Sequence, residues 1–86
     1  MRPSEPKRKI NVEMVLARIV ERYKLKLPPY IIQVDYDEEA EILRVLFQSP
    51  NEKIIYKPLR DSFIFSIGRK NQQIVGIEII NPKRYL

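Results

Sequence analysis

Carboxylates cluster in one short stretch of the chain, and they are the first residues that could do chemistry. Asp35, Asp37, Glu38, Glu39 and Glu41 fall between positions 35 and 41. Carboxylate oxygens are the ligands that Mg²⁺ and Ca²⁺ prefer. However, the stretch lacks the glycine of a calcium-binding loop, and strand alternation would separate the side chains across a turn. A metal site and a solvated or partner-facing acidic turn are both open interpretations, and the missing ligand spacing favours the turn.

Nucleophilic catalysis needs an activating base, and the sequence contains neither histidine nor cysteine. The available hydroxyls besides tyrosine belong to Ser4, Ser49, Ser62 and Ser66. The group of Tyr56, Lys57 and Arg60 near Asp61 matches no catalytic motif. With only two glycines, Gly68 and Gly76, no phosphate-binding loop is present. We therefore predict a protein that is not an enzyme, with no cofactor, no disulfide and no zinc site.

Positive charge is concentrated in the first third of the chain. Residues 1–30 carry an excess of five positive charges, whereas residues 31–86 are balanced. A set of five basic residues could contact a phosphate backbone: Lys7, Arg8, Lys9, Arg18 and Arg22. The segment Lys83-Arg84-Tyr85 would add contacts if it lay nearby. No helix-turn-helix, zinc-finger or RNA-stacking motif accompanies them, and short basic tails commonly act only as solubilising segments.

An amphipathic helix is predicted to position the two arginines. Apolar residues recur at helical spacing at Val12, Val15, Leu16, Ile19, Val20 and Tyr23. Asn11 is a suitable N-cap, and the helix must end before Pro28-Pro29, so we expect it from about Asn11 to Leu25. Residues 1–9 contain two prolines and four basic residues without an apolar pattern, which is typical of a flexible basic tail.

Five β-rich segments follow the helix, at residues 30–36, 41–47, 53–57, 62–67 and 74–80. Short polar turns join them, which favours an antiparallel meander. The prediction is therefore an α+β fold in which an N-terminal amphipathic helix packs on an antiparallel meander of four to five strands. The domain should span residues 10–86.

Strand alternation predicts two apolar faces on this sheet. One face should pack under the helix and carries Ile32, Val34, Tyr36, Leu43, Val45, Phe47, Phe63, Phe65, Ile67, Val75, Ile77 and Ile79. The other face holds a second set: Ile31, Ile42, Leu46, Ile64, Ile74 and Ile80. One helix covers only one side of a sheet, and a second apolar face on a small protein usually marks an interface. The alternative is a twisted sheet that covers itself.

Two segments carry a family resemblance. Residues 36–45 (YDEEAEILRV) and 74–80 (IVGIEII) resemble a short prokaryotic domain family of unknown function. Its pattern is a Tyr-Asp strand end, a Glu-Ala-Asp turn and a closing Val-Gly-Ile-Glu-Ile strand, and the likeness covers roughly residues 30–82. Arg44, Glu41 and the pair Asn71-Gln72 depart from that pattern. Because Asn71-Gln72 replaces a turn that contains glycine, we expect Asn71 to adopt the left-handed backbone conformation. The resemblance implies an antitoxin-like role.

Gly76 interrupts the closing strand. We expect it to mark a bulge, or a place that a neighbouring aromatic such as Phe63 or Phe65 covers.

The length of 86 residues suits one domain, and no apolar run approaches the ~20 residues of a membrane span. No signal-peptide h-region is visible, so we expect a cytoplasmic protein. High Lys, Arg and Ile without Cys or His is compatible with a thermophilic source. The favoured function is a non-catalytic interaction or self-assembly module, a homodimer or a partner-binding subunit. The alternative is a nucleic-acid-binding protein that uses the basic N-terminus.

Overall fold

A computed structural model describes residues 10–59 and 62–86. The predicted tail, with Lys7, Arg8 and Lys9, lies outside the described residues, as do Arg60 and Asp61. The elements in chain order are α1 (Val12–Tyr23), β1 (Gln33–Asp37), β2 (Ile42–Leu46), β3 (Ile54–Leu59), β4 (Phe63–Gly68), β5 (Ile74–Ile80) and a 3-10 turn η1 (Pro82–Tyr85). The α+β prediction is confirmed. No helix in these ranges is long and apolar enough to span a membrane.

The helix begins and ends where its capping residues dictate. The Asn11 side chain accepts a hydrogen bond from the Met14 backbone N–H at 3.0 Å, which satisfies one of the free donors at the helix start. Lys24 adopts left-handed geometry with φ 57°, and its N–H bonds to the Val20 carbonyl. This C-cap ends the helix at Tyr23, two residues before the predicted end at Leu25.

All strand pairs are antiparallel, but the sheet is not a simple meander. Its order is β1-β2-β5-β4-β3, so β5 lies between β2 and β4 and the chain crosses the sheet after β2. The predicted meander is therefore correct for the β1–β2 hairpin and for β3–β4–β5, and it is wrong only for the step from β2 to β3. The order has a physical reason, because edge strands expose unpaired backbone groups and tolerate charge and proline. β1 carries two aspartates and β3 carries Pro58, whereas the apolar β5 occupies the centre.

The edge strands also differ from prediction in their bounds. β1 starts at Gln33, which leaves Tyr30, Ile31 and Ile32 in the segment before it, although the Ile32 N–H still donates to the Leu46 carbonyl. β3 runs through Pro58 to Leu59 instead of stopping before the proline. An edge position allows this, because Pro58 lies opposite Ile64 in a non-hydrogen-bonded pair and its nitrogen faces away from β4.

The main core lies between α1 and one face of the sheet. Leu16, Ile19, Val45, Phe65 and Ile77 are all buried there, as predicted. The burial of Ile10 and Tyr85 in the same cluster was not predicted. Ile32, which alternation placed on this face, is instead 53% exposed because it precedes β1.

Candidate interaction site

The side of the sheet opposite α1 is called here the open face, and within the described residues no helix lies over it. The Glu52 side chain, from the loop before β3, lies over Gly68 at one end of this face. Four of the six residues predicted for it do lie there: Ile42, Leu46, Ile64 and Ile80. Each is partly buried, because neighbouring strands and side chains shield a strand residue even on an uncovered face. The open face is thus apolar but less exposed than a flat sheet would be.

The other two predicted interface residues lie elsewhere. Ile74 packs against the main core, so its assignment to the open face was wrong. The reason is a register shift between Ser66 and Ile67, which pairs Ile67 with Ile74 and leaves Val75 as the additional residue. Ile31 is 37% exposed but lies before β1, outside the strands.

A row of charged side chains crosses one half of the open face. Arg44 on β2 is paired in register with Asp35 on β1 and Glu78 on β5. Its guanidinium lies 3.5 Å from a carboxylate oxygen of each. Exposed pairs of this kind contribute roughly 0–1 kcal/mol to stability. Their main effect is to hold Arg44 across three strands and make this half of the face polar.

The other half of the open face has a depression beside an exposed aromatic ring. Tyr56 on β3, Ser66 on β4 and Gly76 on β5 form one cross-strand row. Tyr56 is 68% exposed, and it borders a shallow concavity of about 290 Å³ that runs across the small residues Ser66 and Gly76 and past Arg44 to Gln33 and Asp35 on β1. The row therefore pairs a protruding side chain with a neighbouring hollow.

Gly76 is required by the close approach of β2. A Cβ atom at this position would lie 2.8 Å from the Val45 carbonyl oxygen. The adjacent register shift agrees with the predicted bulge. The predicted aromatic cover is absent from this face, because Phe63 and Phe65 are buried on the core side.

Three arginines gather around Tyr85, and we call them the arginine cluster. Arg18 Nη1 donates to the Tyr85 carbonyl at 3.4 Å, and the Arg22 guanidinium carbon lies 5.3 Å from the Tyr85 ring centroid. Arg84 Nη1 donates to Ser62 Oγ at 3.1 Å. Within residues 10–59 and 62–86, none of the three forms an ion pair with a carboxylate. The structure thus brings the predicted Arg18 and Arg22 together with Arg84 on the flank where α1 meets η1.

Tyr85 is the anchor of this cluster and is 1% exposed. Burial raises the pKa of the Tyr85 phenol above its ordinary value of 10.0. The neighbouring Tyr23 hydroxyl also raises this pKa, whereas the Ser62 hydroxyl and the Arg84 charge lower it. Tyr85 is therefore neutral at physiological pH and holds η1 against α1.

The acidic stretch at 35–41 forms a hydrogen-bonded turn. Asp37 Oδ1 accepts from the backbone N–H groups of Glu39 and Ala40, each at 3.1 Å, and Glu41 adopts φ 59° to complete the turn. Lys83 Nζ lies 4.0 Å from Glu41. Over the described ranges, no group of three or more carboxylates is arranged to hold a metal ion.

The β4–β5 turn is tied to the loop before β3. Glu52 accepts from the Lys70 backbone N–H at 2.7 Å. The left-handed residue of this turn is Gln72, with φ 59°, and not Asn71 as predicted. The Gln72 side chain donates to the Arg69 carbonyl at 2.9 Å, which offsets part of the cost of that geometry.

Sequence reasoning missed two residues that shape these surfaces. In the sequence, Tyr85 stands in a basic C-terminal segment, although an aromatic residue after Asn81-Pro82 is also compatible with a turn that packs back on the core. Tyr56 belongs to no catalytic motif, and its alternation with Ile55 is the sequence signal that would place it on the open face. No protein-family model, curated protein or solved structure matches this chain.

Proposed function

We propose that this protein is a non-catalytic module that self-associates through the open face of its sheet. The observation that carries the proposal is the one-sided coverage of the sheet, since α1 and η1 both pack on the core face. Ile42, Leu46, Ile64 and Ile80 remain partly exposed on the other side. Apolar faces of this kind on a small domain are typical of interfaces. The antitoxin-like role implied by the family resemblance stays a prediction within this class.

Sedimentation analysis tests the proposal. The wild type should sediment near twice the 10.3 kDa chain mass, and Ile42→Lys combined with Ile64→Lys should shift it toward monomer. A matched control is Met14→Lys combined with Ile32→Lys, because both residues are exposed apolar side chains outside the open face. A wild type that remains monomeric at high protein concentration would contradict the proposal, as would equal loss of dimer in both double variants.

A second candidate function, polyanion binding, is supported by the arginine cluster. Among the contacts of the described residues, these three guanidinium groups keep most of their five donors available for phosphate oxygens. The predicted contacts at Lys7, Arg8 and Lys9 would extend this surface. We expect affinity for a labelled single-stranded oligonucleotide to fall steeply as salt rises.

The variant Arg18→Glu with Arg22→Glu tests this second candidate. It should lose most oligonucleotide binding, whereas the control Lys53→Glu with Lys70→Glu should retain it, because both lysines are exposed and lie far along the chain from the cluster. If both variants lost the same amount of oligonucleotide affinity, binding would depend only on net charge, and a specific site at the arginine cluster would be contradicted.

A further inference from the structure

Neutral groups hold the guanidinium groups of the arginine cluster in place. Arg18 donates to the Tyr85 carbonyl, and the Arg22 guanidinium lies over the Tyr85 ring. Arg84 donates to the Ser62 hydroxyl, and all three arginines are exposed to solvent. These contacts order the side chains without cancelling their charge, so an anion that binds them has less side-chain entropy to remove. The cluster is therefore prepared for a ligand that carries several negative charges.

Arg44 on the open face shows the contrasting arrangement. Its guanidinium lies 3.5 Å from a carboxylate oxygen of Asp35 and of Glu78, so an incoming anion would have to displace a carboxylate. Lys83 similarly lies 4.0 Å from Glu41. Among the described residues, the arginine cluster has no carboxylate partner of this kind. Its positive charge is therefore available to a ligand.

The spacing of the cluster is compatible with the backbone of a nucleic-acid strand. Arg18 and Arg22 are four residues apart on one flank of α1, which places their Cβ atoms about 5–6 Å apart. Arg84 adds a third guanidinium from η1, beside Ser62. Successive phosphates of an extended strand are separated by a comparable distance, and each guanidinium can bind a phosphate through two parallel hydrogen bonds. The junction of α1 and η1 can thus contact consecutive phosphates.

Carboxylates on α1 favour one strand over a duplex. At about 100° per residue, Glu21 lies on the solvent side of the helix, on the side of Arg18 that faces away from η1, and Glu13 lies on the far flank. Both carboxylates are exposed. A duplex that reached the arginines would also cover this outer surface and bring phosphates close to like charges. A single strand can follow the junction of α1 and η1 and avoid them.

Within the described residues, no exposed aromatic ring accompanies the cluster. Tyr85 is 1% exposed, and Tyr23 is partly buried. The exposed rings are Tyr30 and Tyr56, on the segment before β1 and on the open face of β3. Residues 25–28, which lead to Tyr30, line a groove on the opposite flank of α1. Because base stacking requires an aromatic platform at the site, the cluster is suited to phosphates and not to stacked bases.

We infer that the arginine cluster binds the backbone of one nucleic-acid strand through consecutive phosphates and does not stack its bases. This inference rests on the polyanion-binding candidate and specifies its ligand. Each phosphate contact on a single strand contributes about 0.7 to the slope of log affinity against log salt, so the three arginines together account for about 2.

Fluorescence anisotropy of the wild type with three labelled probes of equal length tests the ligand. The probes are an oligothymidylate, an abasic oligonucleotide and a DNA duplex. The abasic strand should bind within about twofold of the oligothymidylate, because it keeps every phosphate, and the duplex should bind more weakly. A loss of tenfold or more for the abasic strand would show that bases are stacked.

Two other results would also overturn the inference. A duplex that binds as tightly as the oligothymidylate would remove the preference for one strand, and vesicles of phosphatidylserine that displace the oligothymidylate at equal phosphate concentration would assign the cluster to a membrane surface. In each of these cases, and in the case of base stacking, polyanion binding itself would stand. A wild type that binds none of the probes would overturn both the polyanion-binding candidate and this inference.

Replacement of the three arginines by glutamine locates the phosphate contacts. The variant Arg18→Gln, Arg22→Gln and Arg84→Gln should make the salt slope for the oligothymidylate shallower by about 2. The control removes the same number of positive charges from exposed lysines and should keep the wild-type slope: Lys53→Gln, Lys57→Gln and Lys70→Gln. Circular dichroism checks that both variants fold. An equal change of slope in the two variants would contradict a site at the arginine cluster.

Discussion

Replacement of Gly76 by alanine sets two opposing effects against each other. Alanine in a strand is favoured over glycine by roughly 0.5–1 kcal/mol, because glycine loses more backbone freedom on folding. At this position, however, the new Cβ would lie 2.8 Å from the Val45 carbonyl oxygen, well inside ordinary contact at 3.4 Å. The neighbour is backbone in the central β2–β5 pair, so it cannot move aside as a side chain would. Overpacking of this type costs about 1–3 kcal/mol.

The clash should therefore outweigh the gain in backbone entropy, so Gly76→Ala should lower the free energy of unfolding by about 1–2 kcal/mol. In a domain of this size, where each kcal/mol shifts the midpoint by about 4–8 °C, that lowers the thermal midpoint by about 4–16 °C. Urea denaturation of the wild type and Gly76→Ala measures the change, provided that the m-value stays constant. Ser66→Ala, directly opposite Gly76 on β4, is the control and should change stability by less than about 0.5 kcal/mol. A neutral or stabilised Gly76→Ala would refute the close approach of β2 and β5.

Three further predictions concern the core, the helix cap and pH. Ile19→Ala should lower the free energy of unfolding by about 3–5 kcal/mol, because Ile19 is fully enclosed. Leu16→Ala should lower it by nearer ~2 kcal/mol, because Leu16 borders an open surface groove and the residues around it can relax. Denaturant melts in which the Leu16 variant loses less than about 1 kcal/mol would contradict its place in the core. Asn11→Ala should lower stability by about 1 kcal/mol through loss of the Met14 hydrogen bond, and Asn11→Asp should retain most of it. The raised pKa of Tyr85 means that the folded state holds this proton more tightly than the unfolded state, so its contribution is complete below pH 10.0 and is lost as pH rises through the folded pKa. The free energy of unfolding should thus fall less steeply above pH 10.0 in Tyr85→Phe than in the wild type, and identical slopes in the two proteins would contradict the assignment.

Local and periodic signals in the sequence determined the elements and one face of the sheet. The helix follows from apolar spacing and from Asn11, because capping and side-chain periodicity act within a few residues of the chain. The α+β class and the core-facing set around Leu43, Val45 and Phe65 follow for the same reason, since alternation in a strand has a period of two. These signals do not depend on which strand lies beside which.

Only the tertiary structure decided the strand order and what surrounds each surface. The position of β5 between β2 and β4 depends on the relative cost of leaving each strand at an edge, which compares segments far apart in the chain. The bulge that moves Ile74 to the core depends on three strands closing in register at Gly76. The meeting of Arg18, Arg22 and Arg84 likewise requires η1 to return to the helix, and Tyr85 holds it there because burial of its ring outweighs the cost of ordering a short turn. Periodicity along one segment carries no information about such encounters, so the arginine cluster and the Tyr56–Gly76 row emerge only when the chain is folded.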